Sequence, residues 1–153
     1  MREIKFRVFN DKLPEMIIVD ADSDFVLKFG NDKPLLEMYS NGGEYVDQWA
    51  VDHVMQYTGL KDKNGVEIYE GDIVTMHTEW AGSYYGEDEG GEHENKGVVV
   101  IVPSKGVMIN RCMKRDRMEL DAEWEKTWSV NVRGYRSKVI GNIHQHPELI
   151  KGE

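Results

Sequence analysis

The chain has 153 residues, a formal net charge of −9 and a single cysteine. At that length one domain buries roughly 70% of its unfolded surface without staples, and a lone Cys112 excludes an internal disulfide. The acid excess disfavours phosphate backbones, and no charged start leads into a long apolar run, so a cytoplasmic protein without membrane contact is expected.

In chain order, Ile4, Phe6 and Val8 alternate with Glu3, Lys5 and Arg7, which predicts a half-buried strand over residues 3–8. Turn residues around Asn10 and Pro14 lead to an apolar run, residues 16–19, as the returning strand of a hairpin, and a third strand is expected over residues 25–29. Between them Asp20, Asp22 and Asp24 mimic the start of a calcium loop, but Phe25 stands where that loop needs Gly and Asn31 where it needs Glu. A polar hairpin turn is the better reading. Asp32 as a cap and Pro34 near a helix start predict a short helix over residues 32–39. Residues 44–50 fit neither period, and residues 52–57 lean to strand.

Asn64-Gly65 tolerates positive φ and predicts a turn over residues 62–65. Gly71-Asp72 marks a second reversal, entering a strand over residues 72–80 with Val74, Met76, Thr78 and Trp80 on one face. Residues 81–95 read as a long acidic glycine-rich loop, and loops of that size often carry contacts. Tyr84 and Tyr85 are its candidate aromatic anchors, with Glu87, Asp88 and Glu89 its charged candidates. Residues 96–102 have the strongest β composition and, being apolar throughout, predict burial on both faces. A turn at residues 103–106 returns the chain into residues 107–112, and Lys114, Arg115 and Arg117, with Arg111 just before them, are the one candidate basic patch for nucleic acid and read better as a solvated turn. Met118, Leu120, Ala122 and Trp124 alternate with acids and predict a further strand. Strands over residues 129–133 and 135–143 follow, and Pro147 begins a last helical turn.

These short strands and reversals predict an all-β (mainly β) fold with little helix. A small SH3-like barrel is expected from about residue 61 onward, with packed N-terminal β-hairpins over residues 1–60 as a second subdomain of a single domain, 1–153.

The run Tyr57-Thr58-Gly59-Leu60-Lys61-Asp62-Lys63-Asn64-Gly65, continued by Glu67-Ile68-Tyr69-Glu70-Gly71-Asp72-Ile73-Val74, resembles the YopX-like family of bacteriophage and prophage proteins. The opening Glu3-Ile4-Lys5-Phe6-Arg7 and the closing Val139-Ile140-Gly141-Asn142-Ile143 with Pro147-Glu148-Leu149-Ile150 carry the same resemblance. Val8-Phe9-Asn10 stands where Ala-Trp-Asp is common in that family, and residues 20–54 and 80–134 carry none of its words. The resemblance implies an all-β phage or prophage protein in a bacterial host and supplies no catalytic residues.

Chemistry-bearing residues form no motif. Cys112 ends an apolar strand, where a free cysteine acts as a small hydrophobe. His144 and His146 sit two apart and would face one way on a strand, a start for a metal site if a carboxylate joined them, but they fall where the strand yields to Pro147. There is no nucleophile elbow, phosphate loop, His-Glu-x-x-His or Cys-x-x-Cys. The expectation is a non-enzyme without metal or cofactor, a phage accessory module that binds a protein partner or itself as a homo-oligomer, with nucleic acid disfavoured. Two alternatives stand beside it. One is an acidic nucleic-acid mimic presenting Glu87, Asp88, Glu89, Glu92 and Glu94; the other is a metal-assisted hydrolase using His144, His146 and a carboxylate.

Overall fold

A computed structural model describes residues 3–10, 13–80, 90–119 and 121–151. Its elements are antiparallel strands and two 3₁₀ turns, and the chain divides into two units, Met1–Gly59 and Leu60–Glu153.

In the first unit the strand expected over residues 3–8 begins later, as β1 (Phe6–Asn10): Val8 is fully buried, whereas Ile4 precedes the strand and is 73% exposed. It pairs with β2 (Leu13–Val19) through Phe6 opposite Val19 and Val8 opposite Ile17. Its other edge takes the first part of β6 (His53–Lys61), with Val8 opposite Val54. A three-stranded sheet is made by β3 (Phe25–Lys28), β4 (Leu35–Tyr39) and β5 (Tyr45–Ala50). Val8, Val19, Leu36 and Val51 form the core of this unit, with Phe6, Ile17, Phe25, Leu27, Trp49 and Val54 packed around them. The aspartate turn is polar and self-contained: the Asp22 N–H donates to Asp20 Oδ1 and Ser23 Oγ donates to the Asp20 carbonyl.

The helix expected over residues 32–39 is instead β4. Leu36 lies opposite Leu27 and Trp49 and is fully buried, and the Pro34 carbonyl accepts the Val51 N–H. Glu37, on the strand's other face, is held by Lys28 Nζ at 2.8 Å and by the Tyr39 hydroxyl at 2.6 Å. Apolar neighbours on both sides and a partnered acid outweigh a weak capping signal.

The second unit begins with the end of β6, which turns at Asp62 into β7 (Glu67–Tyr69) with Gly65 at φ +82°. Its main sheet runs β11-β10-β9-β8-β13, built from β8 (Asp72–Trp80), β9 (Gly91–Val102), β10 (Gly106–Asp116), β11 (Glu125–Lys126) and β13 (Ser137–Asn142). The short β12 (Val130–Asn131) pairs with β10 beside β11. Ile68, Val74, Met76, Val99, Ile109, Cys112 and Val132 form its core. Val98 and Val99, adjacent and pointing to opposite faces, are both buried, as the unbroken apolar run predicts.

Three expectations change here. Among the described residues no sheet closes on itself: the main sheet stays open between β11 and β13, and the SH3-like barrel is not confirmed. Residues 91–95, expected in a loop, extend β9, because Glu92 and Glu94 find cationic partners across the sheet. Of the stretch expected as a strand, the described residues 118, 119 and 121–124 make no ladder; the matching stretch of the β10 edge is occupied by β11 and β12, leaving their alternation without a partner strand. Leu120 lies outside the described residues. The 3₁₀ turns are Gly134–Arg136, which begins at the glycine expected to separate two strands and takes up the first two residues of the second, and Pro147–Leu149, where the last helical turn is expected.

Candidate functional site

The ribbon β8–β9–β10 continues past its core residues, and there its two faces separate by chemistry. Strand alternation places His77 and Glu79 of β8 on the same face as Glu92 and Glu94 of β9 and Arg115 of β10. The register sets Glu79 directly opposite Glu92, and Glu94 between His77 and Arg115. Arg115 grips Glu94 Oε2 through Nε at 2.8 Å and Nη2 at 2.6 Å. Glu92 Oε2 lies 3.2 Å from His77 Nε2 and 3.6 Å from Arg117 Nη1. One ligand atom each from His77, Glu79 and Glu92 falls within 4.8 Å of the others.

Trp124 is held over this face by two cations, Lys96 Nζ at 4.4 Å and the Arg115 guanidinium at 4.7 Å from its ring. That explains why a residue in no ladder still has a fixed place. The opposite face carries Trp80 stacked on His93, 6.2 Å between centroids and 8° between planes. It also carries a buried polar chain in which Asn95 Nδ2 donates to Thr78 Oγ1 at 2.8 Å and the Cys112 thiol donates to Asn95 Oδ1 at 3.7 Å.

Burial pushes the Cys112 thiol up to about 11, so it sits there as a neutral donor. Its acceptors are the Asn95 amide and the Met113 carbonyl, neither of them a base. The structure therefore agrees with the hydrophobic reading of this cysteine.

A second constellation is architectural. Asp62 Oδ1 accepts the N–H groups of Asn64 and Val66 at 2.8 and 2.9 Å, and Oδ2 accepts the Val139 N–H at 3.0 Å. Burial alone would raise its pKa, but the three backbone donors and the nearby Lys63 charge together hold it below the ordinary carboxylate value. Beside it the Lys63 N–H donates to the Ser137 carbonyl, and the Ile143 N–H donates to the Gly71 carbonyl. The middle and closing stretches that carry the family resemblance are thus tied directly to each other.

A family model for the YopX protein matches residues 5–151. The chain belongs to the YopX family. No curated protein matches it. Among solved structures it is similar to the crystal structure of protein EF1440 from Enterococcus faecalis, at 26% identity over 97% of this chain and 98% of that one, with a TM-score of 0.40.

In this YopX-family chain the candidates named from the sequence fare unevenly. Tyr84, Tyr85, Glu87, Asp88 and Glu89 lie outside the described residues. Glu92 and Glu94 of the mimic reading are placed, and both face arginines, which offset part of their charge. His144 and His146 follow β13 in a turn capped by Asn142, whose Oδ1 accepts the His144 and Gln145 N–H groups. His146 Nδ1 accepts the Asn142 N–H at 3.4 Å. Neither histidine belongs to a metal-ligand cluster among the described residues.

The basic stretch expected as a solvated turn is strand to Asp116, and its arginines point to separate tasks. Arg111 bulges out of β10 at φ 48°, Arg115 serves Glu94 and Trp124, and Arg117 stands by Glu92. His77, Glu79 and Glu92 as a group escaped sequence reasoning. His77 and Glu79 show as a same-face pair in a strand, but the Glu92 partnership depends on the β8–β9 register.

Proposed function

We propose that this YopX-family chain is a non-enzymatic accessory module of a phage or prophage that acts in the host cytoplasm by binding a protein partner or a second copy of itself. The observation that carries this reading is the exposure of large aromatics in the second unit: Trp128 is 89% exposed and Tyr135 70%. Trp128 borders a concavity lined by Val100, Val102, Lys105 and Met108. Tryptophan beside a concavity of mixed apolar and polar lining is the residue type that dominates protein–protein binding energy, and leaving it in water has no folding benefit. Family membership agrees with a phage-associated role. Among the described residues no helix is long and apolar enough to cross a membrane.

Light scattering on the purified chain over a hundredfold concentration range, with a pull-down from host lysate, tests the reading. The expected result is either a mass above 17.7 kDa or a specific co-purifying protein, reduced at least tenfold in a Trp128→Ser variant that folds normally. A monomer that recovers nothing, or a partner indifferent to Trp128→Ser, overturns the assignment of the contact to this surface.

A further inference from the structure

We propose that His77, Glu79 and Glu92 form a binding site for a divalent first-row transition ion, with Zn²⁺ the best-fitting class, bridging β8 and β9. This goes beyond the interaction reading and does not depend on it. One imidazole and two carboxylates are the donor types such ions take, and three protein ligands leave a position open for water. Their ligand atoms lie within 4.8 Å of one another, against about 3.4 Å between ligands around a tetrahedral ion with bonds near 2.1 Å, so small side-chain rotations close the set.

Two further observations point to a cation as the ligand. The first is His77 Nε2, shielded from solvent and without a hydrogen bond. Glu92 Oε2 lies 3.2 Å away, an ion-pair distance for a protonated ring, but accepts no hydrogen bond from it, and a shielded ring nitrogen without a hydrogen bond is costly. The second is the cross-strand pair itself. Glu79 stands directly opposite Glu92, an arrangement of like charges that destabilises a ladder, and no ion pair or hydrogen bond reaches the Glu79 carboxylate among the described residues. A divalent ion satisfies the nitrogen and both carboxylates at once.

The neighbouring cations set the selectivity of the argument. Arg115 is committed to Glu94, which leaves Glu94 outside the ligand set. Arg117 reaches only Glu92, at 3.6 Å, and is half exposed, so it competes with the ion for one ligand of three. Bound there, the ion ties the last residues of β8 to the first residues of β9.

The test is calorimetric titration of the full chain, purified without an affinity tag and stripped with chelator, using ZnCl₂ and separately CaCl₂ and MgCl₂. The expected result is one equivalent of Zn²⁺ bound at micromolar Kd, with Ca²⁺ and Mg²⁺ at least a hundredfold weaker because they do not favour imidazole. His77→Gln and Glu79→Gln each weaken Zn²⁺ binding tenfold or more with an unchanged circular dichroism spectrum. Arg117→Ala tightens it, a change of opposite sign that damage to the fold does not mimic. Zn²⁺ binding that survives the double variant His77→Gln/Glu79→Gln places the ion elsewhere, for example at His144 and His146, and overturns the proposal. So does a preference for Ca²⁺, or no heat of binding at 100-fold excess over micromolar Kd.

Discussion

Asp62 shows at the residue scale how a buried acid becomes a structural joint. The three hydrogen bonds to its carboxylate come from backbone N–H groups, two within its own turn and one from Val139, 77 positions along the chain. A carboxylate offers acceptors on both oxygens, whereas Asn turns an N–H₂ toward at least one of these donors. Asp62→Asn should therefore destabilise the protein by about 1–3 kcal/mol in denaturant unfolding. The pH dependence has a definite sign. Because the folded-state pKa lies below the unfolded value, the stabilisation is fully present above about pH 4 and is lost as the pH falls through the folded value. Stability curves between pH 5 and pH 2 should be steeper for the wild type than for Asp62→Asn. Parallel curves would show that Asp62 is not held down as the geometry requires.

The β9–β10 hairpin raises a question of close approach at the element scale. Gly97 sits opposite the irregularity in β10 between Asn110 and Met113, and a Cβ built on it would lie 2.5 Å from both the Asn110 carbonyl oxygen and Ile109 Cγ2. The bulge pushes β10 backbone toward β9 there, and only a residue without a side chain leaves room. Gly97→Ala should cost about 1–3 kcal/mol, read as a lower thermal midpoint, with near-native secondary structure below it. A neutral result would mean that the bulge relaxes freely. The same bulge carries Arg111 at positive φ, where L-residues are uncommon, which marks the kink as a defined feature of the strand.

Charge is the property that belongs to the whole molecule. The net charge of −9 repels nucleic acid over long range, and of the cluster at 111–117 Arg115 and Arg117 already face glutamates. Fluorescence anisotropy with a labelled duplex at about 0.15 M salt should show no binding at micromolar protein. Saturable, salt-sensitive binding would instead reveal a basic surface that the ion pairs do not neutralise.

Much of the β architecture was legible as local pattern. Alternation at Phe6 and Val8, the Asn64-Gly65 turn, the apolar run around Val99 and the Gly71-Asp72 reversal each act through neighbours a few positions away, and each appears where it is expected. Pattern misled where a segment's state depended on what it met. Residues 35–39 are strand because Leu27 and Trp49 flank Leu36, and residues 121–124 are not strand because no ladder takes them. Period-2 alternation states that a strand would have two faces; it does not supply the neighbouring strand. The closure of the sheet escaped local reading for the same reason, since a barrel and an open sheet use the same strands and differ in which edges meet.

The candidate site divides along that line. By itself the sequence determined that the chain is β-rich, acidic, confined to one cysteine, and a relative of the YopX family through words that build a frame around Asp62. Only the tertiary structure decided that Glu79 faces Glu92, that the shielded nitrogen of His77 comes within 3.2 Å of Glu92, and that Arg115 takes Glu94 instead. The physical reason is register: a slip of one residue between β8 and β9 would turn Glu92 to the other face, and nothing within either strand alone specifies that alignment.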